Sequence, residues 1–205
     1  MLSTQQIRKL VNSRDYARLI NCLADNGTTL PLPLQARLSH PVPALGLALR
    51  RACELSYGPT PMIREMVHEL LVSQNPDGSF PGSTDRDPLA TAAAAAGLAA
   101  VVREQPVPDP ELAVALDQAL AALASMQDGQ ALFMHSDDRA IEDRALTSAM
   151  ILFLLARVPR FRETCRFADL MDWFDERADR LEEATAELYH MASLDDPARV
   201  SACAA

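Results

Sequence analysis

The densest group of side chains able to do chemistry is the run Asp137-Asp138-Arg139-Ala140-Ile141-Glu142-Asp143, four carboxylates within seven positions. Oxygen-rich clusters suit a hard cation such as Mg²⁺. The same residues serve equally as a solvated loop that caps the helix after it, and capping is the better reading because no second acidic motif follows. Asp85 and Asp87 form a similar pair earlier in the chain. Two such loops would place carboxylates on one rim, suited to a basic partner or a cation. The other reactive types are scattered. His40, His68, His135 and His190 are isolated, so Ser/His/Asp catalysis cannot be argued from spacing. Cys22, Cys53, Cys165 and Cys203 contain no C-x-x-C pair of the kind zinc and redox sites need. Only seven glycines occur and none builds a phosphate loop. No metal and no cofactor are expected.

The elements that must position these groups read as helices throughout, and no stretch alternates apolar and polar residues over strand length. The fold class is all-α. Helices are expected at 5–10 and 16–24, then near 43–57, 60–74, 87–104, 109–126, 140–158 and 165–191. Pro31, Pro33, Pro41 and Pro43 mark an extended linker between the first pair and the rest. Residues 1–39 are therefore an N-terminal pair with a Pro-rich linker, 40–165 a repeat region, and 166–205 an acidic amphipathic helix and tail. The Ala92–Ala96 run predicts an inner helix that neighbours can approach closely. In the last helix Phe167, Met171, Phe174, Ala178, Leu181, Thr185 and Leu188 step by 4 and 3, a heptad stripe with acidic flanks. Trp173 falls off that stripe, which predicts partial exposure and a contact point for a partner.

The repeat region contains an internal copy. Gln74-Asn75-Pro76-Asp77-Gly78-Ser79-Phe80 ends one helix, and Gln127-Asp128-Gly129-Gln130-Ala131-Leu132-Phe133 ends another, with both Gln and Phe 53 positions apart. Asp87-Pro88-Leu89-Ala90-Thr91 and Asp143-Arg144-Ala145-Leu146-Thr147 then open matching helices 56 positions apart. A fainter copy begins at His40-Pro41. Asp-Gly predicts a tight turn with Gly at φ > 0, Asp87 and Asp143 predict N-caps, and each Gln is placed to bond backbone groups at its helix end. Helix–Gln-x-x-Asp-Gly-x-Phe, followed by an acid and Thr-Ala, resembles the repeat of squalene and other class II terpene cyclases and of protein prenyltransferase β subunits. The resemblance covers roughly residues 40–165. It implies an α/α toroid of inner and outer helices around a central cavity, here about half a ring, hence an arc of helical hairpins. The acidic 137–143 run also loosely resembles the diphosphate-binding motif of class I terpene synthases, but on a loop.

The chain departs from those enzymes. It lacks the Asp-x-Asp-Asp acid of class II cyclases and any counterpart of the prenyltransferase zinc set. Aromatics make up 5% of its 205 residues, where carbocation chemistry needs a cavity lined with rings. The net charge of −9 divides unevenly: residues 1–60 hold seven bases and three acids (+4), leaving twelve and twenty-five (−13) for the rest. That balance argues against a nucleic-acid binder. The longest apolar run, Pro88–Val102, falls short of the ~20 residues of a membrane span. Met1–Leu10 has no signal-peptide core, so a reduced cytoplasmic protein is expected. The leading expectation is a non-catalytic scaffold that binds a protein partner or itself. Asp85, Asp87, Asp137, Asp138, Glu142 and Asp143 on the loops, and Trp173, Phe174 and Asp175 on the last helix, are the candidate contact residues. The alternatives are a terpenoid- or prenyl-handling protein that holds an isoprenoid or other apolar ligand, and an unrelated hydrolase or transferase.

Overall fold

The computed structural model describes residues 4–23, 31–36, 40–55, 57, 60–105, 109–135 and 140–194. Among them the chain is helical and contains no strand. In order, the helices are α1 (Thr4–Asn12), α2 (Tyr16–Leu23), α3 (Leu32–Ala36), α4 (Pro41–Glu54), α5 (Pro61–Val72), α6 (Pro88–Glu104), α7 (Pro110–Ser125), α8 (Ile141–Leu155), α9 (Pro159–Thr164), α10 (Phe167–Asp175) and α11 (Glu183–Leu194). Five of them begin on a proline, where the missing N–H costs nothing and the fixed φ already suits a helix. Thr60, Asp87 and Asp109 cap three of these starts by accepting N–H bonds.

Helices α2, α4, α6, α8 and α11 form a row in which each touches the next, while α5 leans on α4, α7 on α6, and α9 on α7. The middle of the row is parallel. At one end the loops before α6 and α8 meet through Ser83 and His135. At the other, Arg50 of α4 donates to the carbonyl of Leu154 near the end of α8 at 3.1 Å. The ends of α4 and α6 come together there too, around Cys53, Val101 and Glu104.

The row closes on the backbone contact of α4 with α6. A Cβ on Gly46 would lie 2.4 Å from the carbonyl oxygen of Ala93, and one on Gly97 2.6 Å from that of Gly46. Small residues therefore permit an approach that no side chain would survive. Residues 88–98 of α6 are all buried, so this helix is enclosed on every side.

The repeat has a mechanical basis. Gln74 Nε2 donates to the carbonyl of Gly78 at 3.0 Å and Gln127 Nε2 to that of Ala131 at 2.8 Å. The backbone N–H of Phe80 donates to Thr91 Oγ1 at 3.0 Å, and that of Phe133 to Ser148 Oγ at 2.8 Å. Both rings are fully buried, so each turn is pinned by one Gln, one Phe and one hydroxyl of the following helix. Two details differ from expectation. The second turn is matched by Ser148, one place beyond Thr147. The positive φ falls on Gly78 (86°) and Ala131 (66°), not on Gly129, because the backbone turns at the position four after each Gln.

The expected long C-terminal helix is broken. After α10 the chain passes through a 3₁₀ turn at Ala178–Arg180 and returns as α11 against α8. The reason is packing. α10 buries Leu170, Met171, Trp173 and Phe174, and the reversal lets Tyr189 of α11 stack on Phe174 at 4.8 Å. One straight helix would carry the second half of its stripe beyond the core. The linker also holds more helix than expected: α3 lies within it and α4 starts at Pro41.

Substituting Gly46 or Gly97 by Ala is expected to destabilise the chain by roughly 2–3 kcal/mol in urea denaturation, the scale of an overpacked core. Gly129→Ala, where an added Cβ meets nothing within 4 Å, is expected to leave the midpoint almost unchanged.

Candidate functional site

The rim that carries the starts of α6 and α8 holds the chemically densest buried cluster. Asp87 caps α6 with Oδ1, accepting from the backbone N–H of Leu89 (2.8 Å) and Ala90 (3.0 Å). Its Oδ2 accepts from the backbone N–H and the hydroxyl of Ser83, both at 2.9 Å. His135 Nε2 lies 2.8 Å from Ser83 Oγ and 3.6 Å from Asp87 Oδ2. Asp87 and His135 are buried while Ser83 is exposed. Gly82 belongs to the same construction, since a Cβ there would meet Asp87 Oδ2 at 2.4 Å.

A serine, a histidine and an aspartate in contact invite comparison with a nucleophilic triad, but the proton positions argue otherwise. A carboxylate only accepts, so the hydroxyl of Ser83 donates to Asp87 and Nε2–H of His135 donates to Ser83. The opposite tautomer would set a ring lone pair against the carboxylate. In a triad the acid holds the far ring nitrogen and leaves the near one to take the serine proton. Asp87 is also a weak base. Burial raises its carboxyl pKa, but the bonds from Ala90 N–H, Ser83 N–H and Ser83 Oγ, with His135 nearby, outweigh burial and hold it below the usual range. The cluster fastens two entry loops together.

Asp85 is exposed in the same loop, and its carbonyl accepts from Asn75 Nδ2 at 2.7 Å. Asp137 and Asp138 lie outside the described residues. Asp143 is not the N-cap of α8: Ala140 is, and Asp143 reaches back from the first turn to the N–H of Ala140 at 3.3 Å. Glu142 is exposed and lines a hollow of about 180 Å³ with Trp173, Arg177 and Thr185.

The contact residues expected on the last helix mostly face inward. Trp173 is only 8% exposed and Phe174 is fully buried, with Tyr189 of α11 stacked on the Phe174 ring. The indole N–H of Trp173 donates to Gln130 Oε1 at 3.3 Å, and Arg177 stacks on its ring at 4.7 Å. Asp175 is exposed but accepts from the hydroxyl of Tyr189. The N-terminal cation Arg14 is likewise engaged, 3.3 Å from Glu69.

The opposite end of the row carries a feature absent from the sequence reading. A cleft of about 580 Å³ lies between α5 and the start of α7, floored by the ends of α4 and α6. Ile63, Val67, Leu71 and Val72 of α5 form one wall, facing Val101 and Leu112. Val72 is 71% exposed at its lip. The Ile63–Val67–Leu71 spacing of four was visible in sequence as an ordinary core stripe; that α7 stands away from it was not. Cys53 is buried at the base, and burial, with Glu104 next, pushes its thiol up to about 11. Cys165, buried elsewhere, is pushed up to about 12. Neither is a ready nucleophile.

Since the carboxyl of Asp87 is lowered on folding, its contribution is complete at neutral pH and is lost as pH falls below about 4, the unfolded value. Urea denaturation of wild type from pH 7 downward is expected to show that loss. Asp87→Asn should cost about 1–3 kcal/mol at pH 7 and flatten the acid dependence. Compared with family models, with curated proteins and with solved structures, the chain matches none.

Proposed function

We propose that the chain is a non-catalytic helical scaffold, built on a terpene-cyclase-like α/α repeat, that binds another protein or a second copy of itself. The observation that carries the reading is the cleft between α5 and α7, whose apolar lip at Val72 is exposed above the buried side chains of Ile63, Val67 and Leu112. Exposed apolar surface rimmed by charge is what a partner site looks like before the partner arrives. The engaged protons of Ser83 and His135 and the high thiol pKa values support the non-catalytic half of the proposal. The row-and-flank order of α4 to α9 supports descent from the repeat.

The cleft also favours a second reading, carriage of an apolar ligand, because its volume falls within the few hundred to 1,000 Å³ of small-molecule sites. Such a ligand would sit at this end, since α6 is enclosed and leaves no room beside it.

Leu71→Ser with Val72→Ser removes the lip without touching fully buried residues. Proximity labelling in the host cell, read against wild type, is expected to lose a discrete set of neighbours at least fivefold, or light scattering to lose a dimer. An unchanged neighbour set together with an unchanged mass would overturn the scaffold. Covalent labelling of Ser83 by a fluorophosphonate would overturn its non-catalytic character. Native mass spectrometry showing an apolar adduct on wild type that the double variant lacks would establish the second reading instead.

A further inference from the structure

The segment most at odds with its own sequence is the break between α10 and α11. From Phe167 to Leu194 there is no glycine, proline or asparagine, and the apolar positions keep their spacing of 4 and 3 through the break. Of the seven residues 176–182, six are Glu, Arg, Ala or Leu, all good helix formers, and Asp179 is the weak one. Yet the chain leaves the helix at Arg177 (φ −122°, ψ 8°) and is extended at Leu181 (φ −72°, ψ 145°). Local preference and fold disagree here, and such conflicts concentrate at strained or functional places.

What holds the break lies outside it. Thr185, Leu188, Tyr189 and Ala192 are the buried residues of α11, which packs on α8. Tyr189 stacks on Phe174 at 4.8 Å, and its hydroxyl donates to Asp175. The hinge itself buries little: Glu176, Ala178, Asp179, Arg180 and Glu182 are all exposed. The carbonyl of Trp173, which a continuous helix would bond to the N–H of Arg177, accepts Arg177 Nη1 at 3.2 Å instead. The broken and the continuous forms therefore both satisfy it.

Once α11 leaves α8, nothing in residues 176–182 opposes one helix from 167 to 194, about 42 Å long. Leu188 and Tyr189 are then bare, and so is the surface of α8 that they covered. The occupant that restores every lost contact on both surfaces is α11 of another molecule of the same sequence.

We propose that the chain dimerises by exchanging α11. Residues 176–182 straighten, and the α11 of each copy packs on the α8 of the other in the place its own holds here. The proposal rests on the self-association half of the scaffold reading and names the surface it uses.

The test uses the full chain and light scattering over a concentration series. Asp179 is exposed and makes no hydrogen bond or ion pair among the described residues. Asp179→Ala therefore changes the helix preference of the hinge, and in the straight form it also relieves repulsion from Asp175 and Glu183, four residues away on either side. Two hinges straighten per dimer, so the dissociation constant is expected to fall about tenfold. Glu182→Pro suits the broken form, because Leu181 already has the extended backbone a following proline requires and the N–H of Glu182 is unbonded. A proline there cannot sit inside a continuous helix, and this variant is expected to stay monomeric where wild type and Asp179→Ala dimerise. Spin labels at the exposed positions Asp172 and His190, with one labelled copy per dimer, should lie about 27 Å apart along a straight helix and much closer in the monomer.

A dissociation constant unmoved by Asp179→Ala, a folded Glu182→Pro chain that dimerises like wild type, or a dimer with the label distance of the monomer would overturn the exchange. So would the absence of any dimer of wild type and Asp179→Ala. If no dimer forms but Leu71→Ser with Val72→Ser still loses its cellular neighbours, the exchange falls and the scaffold stands. If no dimer forms and the neighbours are unchanged, both fall.

Discussion

The structure depends on how closely α4 can approach α6. Gly46 and Gly97 bring two helix backbones into direct contact, and the Ala92–Ala96 run lets other neighbours close around the same helix. Dispersion and burial then come from backbone and methyl groups packed at short range, not from large side chains. Few aromatics are needed for such a core. Those present lie at its edges: Phe80 and Phe133 under the two turns, Phe161 against Phe133 at 6.2 Å, and Phe174 under α11.

A parallel row has two unlike ends. At one, the starts of α6 and α8 leave backbone N–H groups that acids satisfy, and Asp87 does so while also holding Ser83 and, through it, His135. Every polar atom of that aspartate is used, which makes the rim rigid and leaves little chemistry to spare. At the other end the last turns of α4 and α6 meet the first turns of α5 and α7, and α5 and α7 stand apart there. The cleft between them has a buried floor of Ile63, Val67, Val101 and Leu112 and an exposed lip at Val72.

Much of the fold was legible because its signals are local. The cap at Asp87 and the Gln-to-Phe turns act over a few residues, so their spacing in the sequence is their spacing in space. Where a reading failed, a distant contact had intervened. The stripe from Phe167 to Leu188 was read as one helix, but Ala178 is exposed in a 3₁₀ turn, and the break lets Phe174 and Tyr189 share one stack. Trp173 fell off the stripe and was expected at the surface, yet it is only 8% exposed, with Arg177 stacked on its ring and Gln130 at its indole N–H. Asp-Gly at 128–129 suggested the turn position, while the second copy bends two residues later, at an alanine.

By itself, then, the sequence determined that the chain is all-helical, where most helices begin, and that two of its turns are copies, since each of these follows from interactions within about ten residues. Only the tertiary structure decided which surfaces remain open. The pairing of His135 with Ser83, the inward turn of Trp173 and Phe174, and the gap between α5 and α7 all depend on residues dozens of positions apart. A helix pattern states which face is apolar. What covers that face is set by the direction and spacing of its neighbours, and here those follow from the contact of Gly46 with α6.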